Sequence, residues 1–570
     1  MAFIPATTEQ RFVLDHVVRI GELGQTERFA PASDDVVDAV LEGVGQLAAG
    51  EWAPLNRAGD TVGAKWTEHG VVMPDGFAKA YHDYVEGGWG TIGVEEEWGG
   101  QGLPFAIQTA VLDTLGSANM GFALCPTLTV GAIEALQHHG SPEQQAAYLP
   151  HLATGAWTGT MNLTEPQAGS DVGALRATAT PLGDGKWSIK GTKIYISFGD
   201  HDMAPNIVHL VLARTPGAPA GTKGISLFLV PKYRLQDDGT PGDFNDVRVV
   251  SIEHKMGLHA SPTCVLSFGD NDDCVGELIG AELGGIRAMF TMMNNARLNV
   301  GLQGVQVAEG ATQGAVAYAL DRVQSARAGS PNKESVKIVE HPDVRRMLMR
   351  MKAQTQAARA LVYYAAGQVD RANMGDHAAR NRLELVTPLA KAHGTDIGNE
   401  VASLGIQVFG GMGYVEETGA AQYFRDARIT PIYEGTNGIQ AADLVGRKLA
   451  MDNGGAFAGL IADIRAESKD ERLLALVDAC DAIGRRLATA DADDKLAASY
   501  PFLTMLSVAT CGWLMERQGG VAGTDDFGRM KTAAVRFYLD QIVPEAMGLT
   551  AAANASAAVL YSIEADLFAA

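Results

Sequence analysis

Cysteine is scarce. Five residues in 570, Cys125, Cys264, Cys274, Cys480 and Cys511, are scattered, odd in number and nowhere in C-x-x-C spacing. That excludes a disulfide framework and a thiolate metal site, and it suits a reducing compartment. Positive charge is short as well: 45 Lys and Arg face 67 Asp and Glu, a formal net charge of −22. Such a field repels phosphate backbones and anionic lipid, so neither a nucleic-acid partner nor a membrane is expected. Long uncharged runs are few. The longest, Thr114 to Ile133, holds Ser117, Asn119 and Pro126 and reads as a buried helix and loop, not a membrane span. The N-terminal residues show no basic stretch leading into an apolar one, so a cytoplasmic location is expected rather than secretion.

Familiar signatures are missing too. There is no G-x-x-x-x-G-K-[ST] loop, no H-E-x-x-H and no G-x-S-x-G. One G-x-G-x-x-G occurs, Gly88-Trp89-Gly90-Thr91-Ile92-Gly93. It lacks a strand before it and a helix after it, so it is not a dinucleotide fingerprint.

What is present is a chain whose texture changes along its length. From about Ser33 to Ala153, Val36, Val37, Val40, Leu41, Val44 and Leu47 set a helical rhythm. From about Gly155 to Asp273, short β-branched runs such as Ile207–Leu212, Ile225–Val230 and Cys264–Phe268 alternate with turn-like clusters. Strands so close, with no helix between them, predict an antiparallel sandwich or barrel. Helical periodicity returns at about Gly284, and the Asp452–Gly455 loop precedes a last helical part. The expected parts are an N-terminal extension (1–32), a helical domain (33–154), a β domain (155–283), a helical domain (284–452) and an extra helical domain (453–570). The Met289, Met292 and Met293 cluster reads as core or pocket lining, because thioethers fill irregular apolar gaps.

Two segments offer chemistry. Met161-Asn162-Leu163-Thr164-Glu165-Pro166-Gln167-Ala168-Gly169-Ser170-Asp171 is a strand end running into a Pro/Gly loop. Its N–H groups and hydroxyls suit a flat ring or a phosphate. Ile432-Tyr433-Glu434-Gly435-Thr436-Asn437-Gly438 sets one carboxylate on a turn beside apolar residues. In a dry cleft such a carboxyl has a raised pKa and serves as a base near pH 7; on a solvated surface it caps a helix.

These segments, with Gln407-Val408-Phe409-Gly410-Gly411-Met412-Gly413, Gly99-Gly100-Gln101-Gly102, Lys255-Met256-Gly257 and Tyr318-Ala319-Leu320-Asp321-Arg322, resemble the acyl-CoA dehydrogenase family in the right order from about Ser33 to Gly446. The resemblance implies an α+β fold: a helical N-terminal domain, a middle antiparallel β domain and a C-terminal four-helix bundle, here with an additional helical domain.

It also implies FAD as cofactor. Met161, Leu163 and Thr164 match positions at the isoalloxazine edge, and Tyr195 and Ser197 match a second strand at its face, where many members carry Trp. Arg322, placed at a helix start, matches the arginine that reaches the FAD pyrophosphate of a partner subunit. Gln407 and Gly411 match the pyrophosphate loop, and Thr436 and Gly438 match further FAD contacts. Glu434 matches the base that removes the α-proton of an acyl-CoA thioester, with its own N–H among the donors to the enolate oxygen. One branch of the family carries its base on a helix just before an arginine; here that slot is Ala296, which cannot take a proton. Arg297 then matches a cation near base and thioester, and Ser170 a contact to the CoA.

The long form implies 3-(methylthio)propanoyl-CoA or a similar short acyl-CoA as substrate, with a medium- or long-chain fatty acyl-CoA as the alternative. Electron-transfer flavoprotein is the implied acceptor. The shared FAD sites imply a homo-oligomer, a dimer before a tetramer. Some relatives bind DNA in the alkylation response through a basic C-terminal face. Here Ser468 to Ala570 mixes its Lys and Arg with numerous Asp and Glu.

Overall fold

The computed structural model describes residues 3–570. The chain forms two compact units, one chiefly of residues 39–296, the other of residues 6–38 with 297–570.

In the first unit the apolar rhythm after Ser33 becomes the helix Asp34–Leu47, from Ala39 onward. A small hairpin, Lys65–Thr67 with Gly70–Val72, interrupts the expected all-helical region. Helix α1 (Phe105–His139) is long and apolar enough to span a bilayer, but 83% of its most apolar window is buried inside the protein. The loop expected within Thr114–Ile133 is not there. The whole stretch is helical apart from a break at Asn119 (φ −160°, ψ 88°), and Pro126 sits inside the helix. Burial on nearly every side outweighs the usual cost of an internal proline. Helix α2 (Pro142–Thr154) opens on a capping box between Ser141 and Gln144 and ends at Gly155, φ 80°. The Gly88–Gly93 motif is a tight 3₁₀ turn, as its missing flanks imply.

Eight strands of one sheet follow: β1 (Thr158–Asn162), β2 (Thr178–Gly183), β3 (Lys186–Ser197), β4 (Ile207–Ala213), β5 (Ser226–Pro231), β6 (Val247–Ile252), β7 (Thr263–Phe268) and β8 (Val275–Ile279). Their order is β6-β7-β3-β8-β5-β4-β1, with β2 beside β3. One pairing departs from the antiparallel expectation. Strand β1 runs parallel to β4, Thr158 opposite Ile207 and Asn162 opposite Val211. The β2–β3 hairpin lies between them in the chain and supplies the long return that parallel pairing needs. Both faces of the sheet are covered. Val208, Leu210 and Leu212 of β4 pack with Leu136 of α1 and Leu149 and Leu152 of α2, while Val211 and Ala213 pack with Phe228, Leu266 and Phe268. Met289 and Met292 are buried in the first of these clusters, and no metal-holding group of side chains exists among the described residues.

The second unit is helical. Its bundle is α3 (Gly285–Asp321, from Arg297 onward), α4 (Pro342–Asn373), α5 (His377–Phe409) and short α6 (Asn437–Asp443), which runs on through Leu444–Lys448. Helices α3 and α5 meet backbone to backbone. A Cβ on Gly304 would stand 2.0 Å from the Gly394 carbonyl oxygen, and one on Gly394 2.6 Å from that of Gly301. Buried Arg359 of α4 pairs with Glu309 of α3 at 3.0 Å. Burial works to raise the Glu309 pKa, but the Arg359 and Lys352 charges hold it down at about 2.

Past the turn at Asp452 and Asn453 come α7 (Glu471–Thr489), α8 (Ala492–Gly519) and α9 (Asp526–Phe537). Helix α8 packs on α4, α5 and α6. The N-terminal extension folds onto the same unit: buried Lys531 of α9 donates to Glu9 Oε1 at 2.5 Å and to Gln518 Oε1 at 2.9 Å.

Candidate active site

The run Ile429-Thr430-Pro431-Ile432-Tyr433-Glu434-Gly435-Thr436 leaves regular structure just before α6. Glu434 (φ 56°) and Gly435 (φ 80°) are consecutive left-handed residues. Glycine adopts this freely; for glutamate it costs about 1 kcal/mol. The surroundings hold the turn. The Tyr433 hydroxyl donates to Gln303 Oε1 of α3. Lys391 Nζ of α5 donates to the Thr430 carbonyl at 3.0 Å, and the Asn437 N–H to that of Pro431 at 3.0 Å. The Thr436 hydroxyl caps α6 by accepting from the Ile439 N–H at 3.1 Å. Strain held in this way marks a position whose side-chain direction matters.

Glu434 keeps some solvent contact, yet protein surrounds its carboxyl. Burial pushes its pKa up to about 7, and the Arg297 and Lys391 charges pull it back only in part. A carboxyl so poised can take a proton at neutral pH. Among the described residues the Glu434 N–H has no hydrogen-bond acceptor. Arg297 is buried, which lowers its pKa against the opposing pull of Asp443 and Glu434. Its Nη1 lies 4.0 Å from Asp443 Oδ2, an ion pair without a hydrogen bond. Arg297 Nε, Asp443 Oδ2 and Gln440 Oε1 are all buried without a hydrogen-bond partner among the described residues. Orphaned buried polar atoms on Arg297 and on the helix that follows the Glu434 turn point to a polar ligand.

Sequence reasoning missed Lys391. Its side chain is fully buried, and burial pushes its pKa down to about 8 while Glu434 and Asp396 oppose the shift. The available signal was a single cation in the apolar stretch Leu385–Ala392. Behind it stand Asn437, Asp396 and Tyr500, with Asn437 Nδ2 to Asp396 Oδ1 and the Tyr500 hydroxyl to Asp396 Oδ2 both 2.8 Å.

Arg322, Gln407 and Gly411 gather elsewhere. Tyr318 stacks on Phe409 with ring centroids 4.3 Å apart, bringing together the C-terminal ends of α3 and α5. Arg322 follows the end of α3, a correction to the helix start expected for it; it is exposed, and its Nη2 donates to Gln324 Oε1 at 3.3 Å. Gln407 is exposed in the last turn of α5, and a Cβ at Gly410 or Gly411 would meet nothing within 4 Å. At 1.5 Å per residue, Arg297 and Tyr318 lie about 30 Å apart along α3. The Glu434 group and the Arg322 group are therefore separate places. Gly438 is exposed at the start of α6.

The other sequence-predicted residues lie in the sheet unit. Strand β1 is an edge strand, so one row of its main-chain groups faces away from the sheet. Met161, Leu163 and Thr164 are half-buried at its end. Buried Glu165 fixes that end: it accepts from the Arg176 and Ala177 N–H groups (2.6 and 3.0 Å) and from Lys193 Nζ (2.8 Å), which also donates to the Leu163 carbonyl at 3.0 Å. Burial works to raise the Glu165 pKa, but Lys193 and these N–H groups hold it below the usual value. Tyr195 is 61% exposed, and its φ of 61° falls at a β-bulge where β3 pairs with β7. Bulges commonly re-aim a side chain next to an active site. Ser197 is half-buried two residues on, and Ser170 is exposed in the loop after Glu165. Within the sheet unit, an outward aromatic beside an edge strand suits the flavin ring of FAD; within the helical unit, an exposed guanidinium and an open glycine turn suit its pyrophosphate.

Known proteins share these domains. Residues 39–156, 160–271 and 284–449 match the N-terminal, middle and C-terminal domain models of acyl-CoA dehydrogenase, and 459–564 match "Acetyl-CoA dehydrogenase C-terminal like". A 3-methylmercaptopropionyl-CoA dehydrogenase of Ruegeria pomeroyi is 43% identical, over 94% of this chain and 95% of its own. A butyryl-CoA dehydrogenase of Syntrophomonas wolfei is 37% identical, over 90% of each. The Caenorhabditis elegans ACDH-11 structure in complex with C11-CoA shares the fold: TM-score 0.77, 21% identity, 94% of this chain and 91% of that one.

Proposed function

Because the chain belongs to the acyl-CoA dehydrogenase family, a group of FAD-dependent oxidoreductases acting on the CH–CH bond of acyl-CoA, we propose that it desaturates a short acyl-CoA, 3-(methylthio)propanoyl-CoA or a chain of similar length, with Glu434 as base. The observation that carries the base assignment is the strained turn that sets Glu434 among buried cations with its pKa near 7. Glu434 takes the α-proton of the thioester. Its unengaged N–H stabilises the enolate oxygen as charge develops. Arg297 and Lys391 favour the ionised carboxylate before it takes the proton. When bound, FAD supplies the acceptor for the β-hydride; Met161, Leu163, Thr164, Tyr195 and Ser197 would hold its ring. Arg322, Gln407 and Gly411 would hold a pyrophosphate, Thr436 and Gly438 would add contacts, and Ser170 would face the CoA.

The separation of the Arg322 group from the Glu434 group supports a flavin shared between two copies of the chain, hence a homo-oligomer, a dimer first. Electron-transfer flavoprotein is the proposed acceptor. Five free, buried cysteines fit a cytoplasmic setting. The short substrate rests on the activities of the two relatives above, one acting on 3-methylmercaptopropionyl-CoA and one on butyryl-CoA.

A panel of acyl-CoAs from three to sixteen carbons, with the methylthio compound and a ferrocenium-type acceptor, tests this reading. The short compounds are expected to exceed hexadecanoyl-CoA in kcat/KM by at least about tenfold, the size of a poorly fitting chain. A panel led by the long chains would overturn the substrate.

A further inference from the structure

The extra C-terminal helices have no part in the reaction as described so far, yet one of their side chains reaches the residues behind the base. Tyr500 of α8 donates its hydroxyl to Asp396 Oδ2 at 2.8 Å. The other oxygen of Asp396 accepts from Asn437 Nδ2 at 2.8 Å, and the same amide nitrogen also reaches Thr395 Oγ1 at 2.9 Å. An amide held by its nitrogen presents its oxygen in the opposite direction. Asn437 Oδ1 accepts from Lys391 Nζ at 2.9 Å, while the Thr430 carbonyl takes a second proton of the same ammonium. Asp396 and Asn437 therefore decide which end of an amide a fully buried ammonium meets. A flipped Asn437 would set an NH₂ group against that charge.

We propose that Tyr500 is a positioning residue for the reaction: through Asp396 and Asn437 it fixes Lys391 beside Glu434, so that the extra helical domain helps set the pH at which the base works. The proposal rests on Glu434 being the base. The charged and titratable groups around the relay are few. Glu434 is faced by Arg297 from α3, Lys391 from α5 and Tyr433 of its own turn. Lys391 is faced by Glu434, Asp396 and Arg297; Asp396 by Tyr500, Lys391 and Glu400. Arg297 is further faced by Asp443 and Glu384, which favour its charge, and by Arg447, which opposes it. Of these cations, only Lys391 is held through Asn437. An ammonium near a carboxylate lowers its pKa, so loosening Lys391 raises that of Glu434.

The test uses the full-length, FAD-loaded protein. Tyr500→Phe keeps the ring and removes only the hydroxyl, leaving every charge around the relay in place. The acid limb of the kcat/KM profile is expected to move upward by about half a pH unit in this variant, with flavin content and thermal midpoint close to the parent. Calorimetric binding of a non-oxidisable acyl-CoA analogue across pH reads the same shift without turnover. An acid limb and a binding profile that stay put in Tyr500→Phe, while Glu434→Gln is inactive, would overturn the positioning role alone. A substrate-reduced flavin in Glu434→Gln would overturn both assignments.

Discussion

Burial sets the folded protein against the ionised form of Glu434. Its pKa of about 7 stands well above the 4.5 of a free glutamate. A pKa raised by folding is stability present below pH 4.5 and lost as pH rises through 7. Ionising this carboxyl in place therefore costs on the order of 3 kcal/mol above neutrality, an upper figure for a partly wetted group. Glu434→Gln removes that cost. The flavin-free variant is expected to melt higher than the parent at pH 8 and alike at pH 4.5; melting curves at both values check it. The same variant should keep FAD and acyl-CoA while losing anaerobic flavin bleaching by about a thousandfold or more, the usual scale for removing a general base. Normal bleaching would exclude Glu434 as the base.

At the scale of elements, what places Glu434 is the approach of α3 to α5. Tyr433 is tied to Gln303 on α3, and the turn is tied to Lys391 on α5. Gly301, Gly304 and Gly394 let those two helices meet at main-chain distance. Gly304→Ala puts a methyl against the Gly394 carbonyl, with no flexible side chain to give way. We expect a loss of about 1–3 kcal/mol and a weaker hold on the turn, read as a lower thermal midpoint with reduced kcat. A variant as stable and as fast as the parent would show that the helices part without consequence.

This element scale is also where the sequence is readable, and where it stops being so. The β alternation from Ile207 onward and the helical stripes after Gly284 mark their elements because burial imposes periods of two and 3.6. The Glu434 turn is legible because Pro431 and Gly435 bracket a carboxylate amid apolar residues. The pairing of β1 with β4 is not, since parallel partners are set by the return path and not by local pattern. Lys391 is not legible, because a lone lysine in a helix normally lies on a solvated face; only the fold shows that Thr430 and Asn437 receive it. The place of Arg322 is not legible either, because Tyr318 to Asp321 alone do not say that a helix ends there.

Across the whole molecule, the two ends of the chain depend on each other. Lys531 is wholly buried, with Glu9 and Gln518 as its hydrogen-bond partners and Phe12 and Phe527 beside it. Glu9→Ala strands that ammonium and should cost about 3–5 kcal/mol, whereas adding Lys531→Met should recover most of the loss. Recovery is the informative result, because a simple cavity would be deepened by the second change; equal thermal midpoints for the single and double variants would count against an ionic tie.

The greatest reach concerns two copies of the chain. If one flavin is served by Glu434 of one protomer and by Arg322 of its partner, then Glu434→Gln and Arg322→Ala fail in complementary ways. Each homodimer lacks one function at both of its sites. A mixed dimer carries one site with both defects and one with neither. Random pairing makes half the dimers mixed, so co-expressed variants should recover roughly a quarter of parental activity per chain while each alone stays near zero. Differently tagged subunits, purified through both tags, raise the expected figure to about half. Tandem-purified mixed dimers with no more activity than the variants alone would place Glu434 and Arg322 at the same flavin within one chain, or Arg322 at none.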